Sequence, residues 1–229
     1  MSSRLLSRPY TCRFGAPVIH KVDPRIFLLT YFGECMACTT CQDACCRFGV
    51  DIDMERVRAI ERYREELESY LGIPRSQWFR EDPEDFGIQD EHEYPGGKYT
   101  RTQVVDLPDG RSPHSTEACI FLDPHSRGCR LHRFALERKI DVHEIKPLIC
   151  LIFPVSFEDG VLEPPVEFEE PGDLVCAGPG RTAYRGARDE LLYYFGPDFV
   201  AELDAMEREF VPEQAVTDSG IIPLPVYSG

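Results

Sequence analysis

The sequence predicts an α+β fold, a small metal-stapled domain with short hairpins and several helices, and three observations predict it. Apolar residues recur at helical spacing in some stretches and gather in short β-type runs, broken by Pro-Asp-Gly or Glu-Asp-Gly, in others. Ten cysteines stand in a chain that carries no recognisable export signal. With 229 residues, 42% of them hydrophobic, the chain is long and apolar enough to bury a core without disulfide staples.

Residues 1–34 read as an irregular N-terminal extension ending in an apolar segment, Arg25 to Phe32, that suits a strand. A cysteine-rich stretch follows as loop or short helical turns. Met54, Val57, Ile60, Leu67 and Leu71 then recur at helical spacing. They predict one helix from Asp53, a capping residue, to Leu71, stopped by Gly72 and Pro74. The polar stretch with Trp78, Pro83, Pro95 and Gly96-Gly97 reads as surface loop, with Trp78 itself in a core or docking role. Lys98–Leu107 and Arg111–Leu122 read as a hairpin about Pro108-Asp109-Gly110, with Cys119 near its end. A turn over Asp123–Gly128 leads through Cys129 and His132 to a helix near Arg133–Lys139, and a short turn over Val142–Ile145 stops at Pro147. Cys150–Phe157 and Val161–Phe168 read as a second hairpin about Glu158-Asp159-Gly160. Helices are expected over Thr182–Phe195 and from Pro197, a favoured first position, to Phe210, before a Pro-rich, extended tail. The domain reading is therefore an extension (1–34), a cysteine-cluster metal-binding domain (35–196), and a C-terminal helix with tail (197–229).

Acids outnumber bases 40 to 25, a net charge of −15 that repels nucleic acid and anionic lipid. The apolar run Ile26–Phe32 is far shorter than the roughly 20 residues of a membrane span. A cytoplasmic location follows as the expectation, and there thiols stay reduced. The expected partner is a protein with a basic docking face, neither nucleic acid nor membrane.

Half of the cysteines fall within twelve residues, at Cys35, Cys38, Cys41, Cys45 and Cys46. Two-residue gaps let a tight turn aim two sulfurs at one point, as at zinc knuckles and in iron–sulfur runs. With Cys119, Cys129, Cys150 and Cys176 they make nine candidate metal ligands. Cys12 stands apart as a small buried apolar residue. Adjacent side chains diverge on helix and strand, so Cys45 and Cys46 suit a large iron–sulfur cube, or two metals, better than one tetrahedral zinc. The cofactor expected is thus an iron–sulfur cluster, 4Fe-4S ahead of the alternatives, or zinc. His132, three residues after Cys129, is a lesser candidate as ligand or supporting residue, and no hydrolytic motif accompanies the other histidines. Gly178-Pro-Gly180 has a proline where a phosphate loop needs N–H groups and reads as a turn.

The motif Cys35-x-x-Cys38-x-x-Cys41-x-x-x-Cys45-Cys46, followed by Val50-Asp51-Ile52-Asp53 and a helix, resembles the start of the YkgJ-type cysteine-cluster family. That family's module is described as a putative zinc- or iron-chelating CxxCxxCC domain. Cys119-Ile-Phe-Leu-Asp123, Gly128-Cys129-Arg-Leu-His132, Lys146-Pro-Leu-Ile-Cys150-Leu-Ile-Phe-Pro154, and Cys176 before Gly178 and Arg181 resemble its later steps in order. The gap before Cys45-Cys46 is three residues rather than the family's two, and Leu151 stands where an arginine is usual, leaving Lys146 and His132 as nearby cations. The resemblance implies metal binding. It is compatible with three functions: an iron–sulfur protein in electron transfer or as accessory to a redox or modifying enzyme, a non-catalytic zinc module for folding or docking, and a methyltransferase-like enzyme akin to the flagellin lysine N-methylases.

Overall fold

The computed structural model describes residues 2–33, 41–80, 93–168 and 175–210. In chain order its elements are β1 (Arg4–Thr11), β2 (Val18–Val22), β3 (Thr30–Tyr31), β4 (Asp51–Asp53), α1 (Met54–Glu61), α2 (Arg64–Leu71), β5 (Tyr99–Arg101), β6 (Val104–Asp106), β7 (Glu117–Cys119), α3 (Arg130–Arg138), α4 (Val142–Ile145), α5 (Leu148–Ile152), β8 (Ser156–Glu158), β9 (Val161–Glu163), β10 (Arg181–Thr182), α6 (Ala183–Phe195) and α7 (Pro197–Phe210). This is an α+β protein. The chain forms two compact units, one of residues 1–35 with 152–229, the other of residues 36–151. The extended tail expected beyond Val211 and the loop around Pro83 lie outside the described residues.

In the first unit β1, β2, β9 and β8 form a sheet in that order. The β8–β9 hairpin about Asp159-Gly160 forms as its turn residues predict, both with positive φ. The N-terminal residues are not irregular: β1 and β2 pair antiparallel across a bulge, and β2 pairs parallel with β9 at Lys21↔Val161 and Val22↔Leu162. The parallel partner lies about 140 residues on, beyond any local pattern. Within Arg25–Phe32 only Thr30–Tyr31 is strand, because Asp23 caps a 3₁₀ turn begun by Pro24 and accepts from the Arg25 N–H at 2.9 Å. Helices α6 and α7 run close to the expected bounds. Thr182 caps α6, accepting from the Arg185 N–H at 3.1 Å, and Pro197 opens α7.

The second unit is built on a core that includes Ile52, Ile60, Leu67, Trp78, Phe121 and Phe134. Trp78 is fully buried and donates from Nε1 to the Ile73 carbonyl at 3.1 Å, so its role is core. The helix expected over Asp53–Leu71 has the predicted ends: Asp53 accepts from the Arg56 N–H at 2.7 Å, and Gly72 ends it in the left-handed region. It is broken between α1 and α2 at Tyr63 (φ −105°, ψ 19°), whose ring packs edge-on against Phe134 with centroids 6.1 Å apart. The first hairpin is shorter than expected. Only β6 pairs with β7, while β5 pairs antiparallel with β4. Cys150 is helical, on α5 immediately after Pro147, rather than on a strand arm. Among the described residues no helix is long and apolar enough to cross a membrane.

Candidate metal centre

Cys45 and Cys46 sit in a 3₁₀ turn, Ala44–Cys46, entered through Gln42 and Asp43, both with positive φ (47° and 63°). Within this turn a hydrogen bond links the Cys46 and Cys45 side chains. The chain then leaves through Gly49 (φ +69°), where a Cβ would sit 3.0 Å from the Thr102 carbonyl and hydroxyl and from the Val104 side chain. So close an approach seats the turn beside Thr102. The buried Thr102 hydroxyl accepts from the Val50 N–H at 2.9 Å and from the Cys119 thiol at 3.4 Å, while the Thr102 N–H donates to the Val50 carbonyl at 2.9 Å. One threonine therefore joins the exit of the cysteine turn to the end of β7, which packs against that same turn.

Cys119 and Cys129 are brought together by a short loop-back. The Leu122 N–H donates to the Cys119 carbonyl at 2.8 Å, and Leu122 forms a bridge with Cys129, the residue just before α3. The turn between is fixed by Asp123, which accepts from the His125 and Ser126 N–H groups at 2.8 Å each and from Arg133 Nη1 at 2.6 Å. Cys150 joins from α5, and its thiol lies within electrostatic range of Cys129, Cys119 and Cys45.

Cysteines from four separate segments influence one another's ionisation. Burial pushes the Cys119 thiol up to about 11, against the Thr102 hydrogen bond and with Cys129 adding to the rise. Burial pushes Cys150 well above its ordinary value, opposed by Lys146 and reinforced by Cys129, Cys119 and Cys45. The Cys45–Cys46 hydrogen bond raises Cys46, as do burial, Cys119 and Cys150. The same bond lowers Cys45, an exposed residue, helped by Lys146 and opposed by desolvation and by Asp43. Lys146 lowers both Cys45 and Cys150 through its charge. His132 is half-buried, and burial followed by Lys146 lowers its pKa, which keeps the ring neutral. Among the described residues no group of three or more Cys, His, Asp or Glu side chains is placed so that it could hold a metal ion.

Of the remaining candidates two are undescribed, one lies in the second unit and one in the first. Cys35 and Cys38 lie outside the described residues. Cys41 is buried at the mouth of the turn, 3.8 Å from Arg127 Nη2. Cys176 belongs to the first unit, where its carbonyl accepts from the Phe32 N–H at 2.9 Å. Cys12, set aside as a ligand, is buried in the first unit. Among the described cysteines no disulfide involves Cys45, Cys46, Cys119, Cys129 or Cys150.

Three residues with no place in the sequence reading of the site organise its edge. Asp43 accepts from Arg111 Nη2 at 2.9 Å, from Arg127 Nε at 2.8 Å and from the Gly128 N–H at 3.2 Å. Burial alone would raise its pKa, but these bonds outweigh burial and hold the carboxyl below its ordinary range. The signal available in the sequence was slight: an aspartate inside the cysteine stretch and an arginine two residues before Cys129.

Comparison with family models, with curated protein sequences and with solved structures finds no match.

Proposed function

We propose that the protein binds a metal through thiolates of its second unit and that this centre is an iron–sulfur cluster serving electron transfer or an accessory role to a redox or modifying enzyme. The observation that supports the reading is that the second unit sets the Cys45–Cys46 turn against β7, which ends at Cys119, while Leu122 bridges to Cys129. The donor set fits the group: soft sulfur donors, with Cys41 beside them, are those that iron–sulfur clusters and zinc both take. Lys146, and Arg127 through its N–H to Cys41, would offset the negative charge of several thiolates. A bound cluster would supply one-electron chemistry, and this chain's residues would set its potential through burial and N–H···S bonds.

A zinc module for folding or docking is the second reading, because the same sulfur donors suit zinc. The resemblance to the YkgJ-type cysteine-cluster family accords with either metal. We place the protein in the cytoplasm, where such thiols stay reduced, and assign it a protein partner with a basic face.

Oxygen-free purification followed by a visible spectrum, metal analysis and acid-labile sulfide separates the readings. A brown protein absorbing near roughly 400 nm with labile sulfide supports the cluster, and a colourless one with stoichiometric zinc supports the module. A reduced, folded protein that binds neither overturns both.

A further inference from the structure

The Asp43 carboxylate stands between two cysteine-bearing segments. On one side it belongs to the turn that starts at Cys41 and ends with Cys45 and Cys46. On the other it accepts from Arg127 Nε and the Gly128 N–H, the two residues immediately before Cys129. Its side chain is 10% exposed and that of Arg111 only 7%. Arg111 spends its remaining donors on the same two segments: Nη1 to the Gln42 carbonyl at 3.1 Å, Nε to the Asp123 carbonyl at 3.0 Å, and Nη2 to the Ser126 carbonyl at 2.7 Å. Arg127 reaches on to the Cys41 sulfur at 3.8 Å. Arg133 braces the far side of the turn, donating from Nη2 to the Arg127 carbonyl and the Ser126 hydroxyl at 2.9 Å each.

A device built only for stability has no need to span these particular segments, and a buried charge network is a poor source of net stability against an apolar alternative. What such a network does well is specify one arrangement, because each carboxylate oxygen and each guanidinium N–H fits a fixed direction. Here the arrangement specified is the placement of Cys41 and the Cys45–Cys46 turn against Cys129. Asp43 also holds a left-handed backbone (φ 63°, ψ 31°), a conformation a short polar side chain tolerates when its hydrogen bonds compensate.

We propose that Asp43, Arg111 and Arg127 are positioning residues that fix the Cys41–Cys46 turn against the turn leading to Cys129 before any metal arrives. The metal part of this proposal rests on the reading of the unit as a thiolate centre. The assembly part does not: it concerns the metal-free chain. A metal entering a preassembled site pays no ordering cost at that moment, so loss of the knot should appear as weaker binding rather than as an altered ligand set.

The test uses the full-length reduced protein, stripped of metal, in three variants: Asp43→Asn, Arg127→Lys and Asp204→Asn. The last breaks a half-buried carboxylate network in the first unit, where Asp204 accepts from Arg188 Nη2 at 2.6 Å and from the Tyr184 hydroxyl at 2.7 Å. Cobalt(II) titration followed by its thiolate absorption reads affinity, and iodoacetamide labelling with mass mapping reads the exposure of Cys41. Asp43→Asn should weaken cobalt binding about 10- to 100-fold, the usual consequence of losing a residue that orients ligands, and should speed Cys41 labelling. Arg127→Lys keeps a cation but loses the Nε bond, so it should move both readouts the same way by less. Asp204→Asn should lower the melting temperature and move neither. The proposal is overturned if Asp43→Asn and Arg127→Lys leave Cys41 labelling at the wild-type rate, or if Asp204→Asn alters cobalt binding as strongly as they do. Should wild-type protein bind no cobalt, the metal reading fails by itself, and the labelling rates still decide for or against the knot.

Discussion

Replacing Thr102 by valine tests the architecture of the site most directly, because one hydroxyl holds two segments there. Valine preserves the shape of the side chain and removes only the hydrogen-bonding atom. Two bonds are lost: the 2.9 Å acceptor for the Val50 N–H and the 3.4 Å acceptor for the Cys119 thiol. Thr102 is fully buried and Val50 half-buried, so solvent offers the stranded N–H only partial compensation. An unsatisfied buried donor costs about 1–3 kcal/mol, and the weak thiol bond adds little, which puts the loss at about 2 kcal/mol. Thr102→Ser keeps the hydroxyl and loses one methyl group, about 1 kcal/mol. The assay is urea unfolding of the reduced protein followed by the fluorescence of Trp78, the single tryptophan, which is buried in the same unit. With a denaturant slope of about 1.5 kcal/mol per molar, valine should lower the midpoint by about 1.3 M and serine by about half as much. If serine proves as damaging as valine or more so, packing rather than the hydroxyl holds the segments together and the reasoning fails.

Further expectations follow from the same physics. Gly186→Ala, which in an exposed helix would stabilise by up to about 1 kcal/mol, should here destabilise, because the added Cβ would overlap the Tyr31 ring; a raised melting temperature refutes that contact. The Asp204 carboxyl is held below its ordinary value first by the Arg188 hydrogen bond, so its contribution is complete above the unfolded carboxyl pKa near 3.8 and fades as pH falls toward the folded one. Acid titration of wild type should therefore show a loss of stability below about pH 4 that is shallower in Asp204→Asn, and parallel curves would contradict the linkage. Adding zinc to metal-free protein at neutral pH should release protons, because thiols such as Cys119, raised to about 11, enter the site protonated. Calorimetry in buffers of different ionisation enthalpy counts them, and an enthalpy independent of buffer counts against thiolate ligation. Cys150→Ser should lower metal affinity, whereas Cys12→Ser, buried in the other unit, should leave it at the wild-type value; equal effects would remove Cys150 from the ligand set.

Local features of the fold were legible in the residues. Asp53 and Gly72 bound their helical stretch, Thr182 and Pro197 open theirs, and Asp159-Gly160 turns its hairpin, because caps and turns are decided by a residue and its near neighbours. The break at Tyr63, the helical setting of Cys150 and the pairing of β5 with β4 were not legible, since each follows from a partner far along the chain. For the site, spacing alone singled out the cysteines as a group. It could not show that Cys45 and Cys46 meet, which depends on left-handed backbone at Gln42 and Asp43.

Taken by itself, the sequence determined an α+β chemistry of short elements, an acidic surface and a surplus of sulfur donors in ordered groups. Tertiary structure decided that residues 4–22 join a sheet with β9, and that Asp43, Arg111, Arg127 and Thr102 hold the cysteine-bearing turns in place. The division has one cause. Caps, turns and periodicities act over a few residues, whereas a buried carboxylate or hydroxyl acquires its role only when folding brings distant donors within hydrogen-bonding distance.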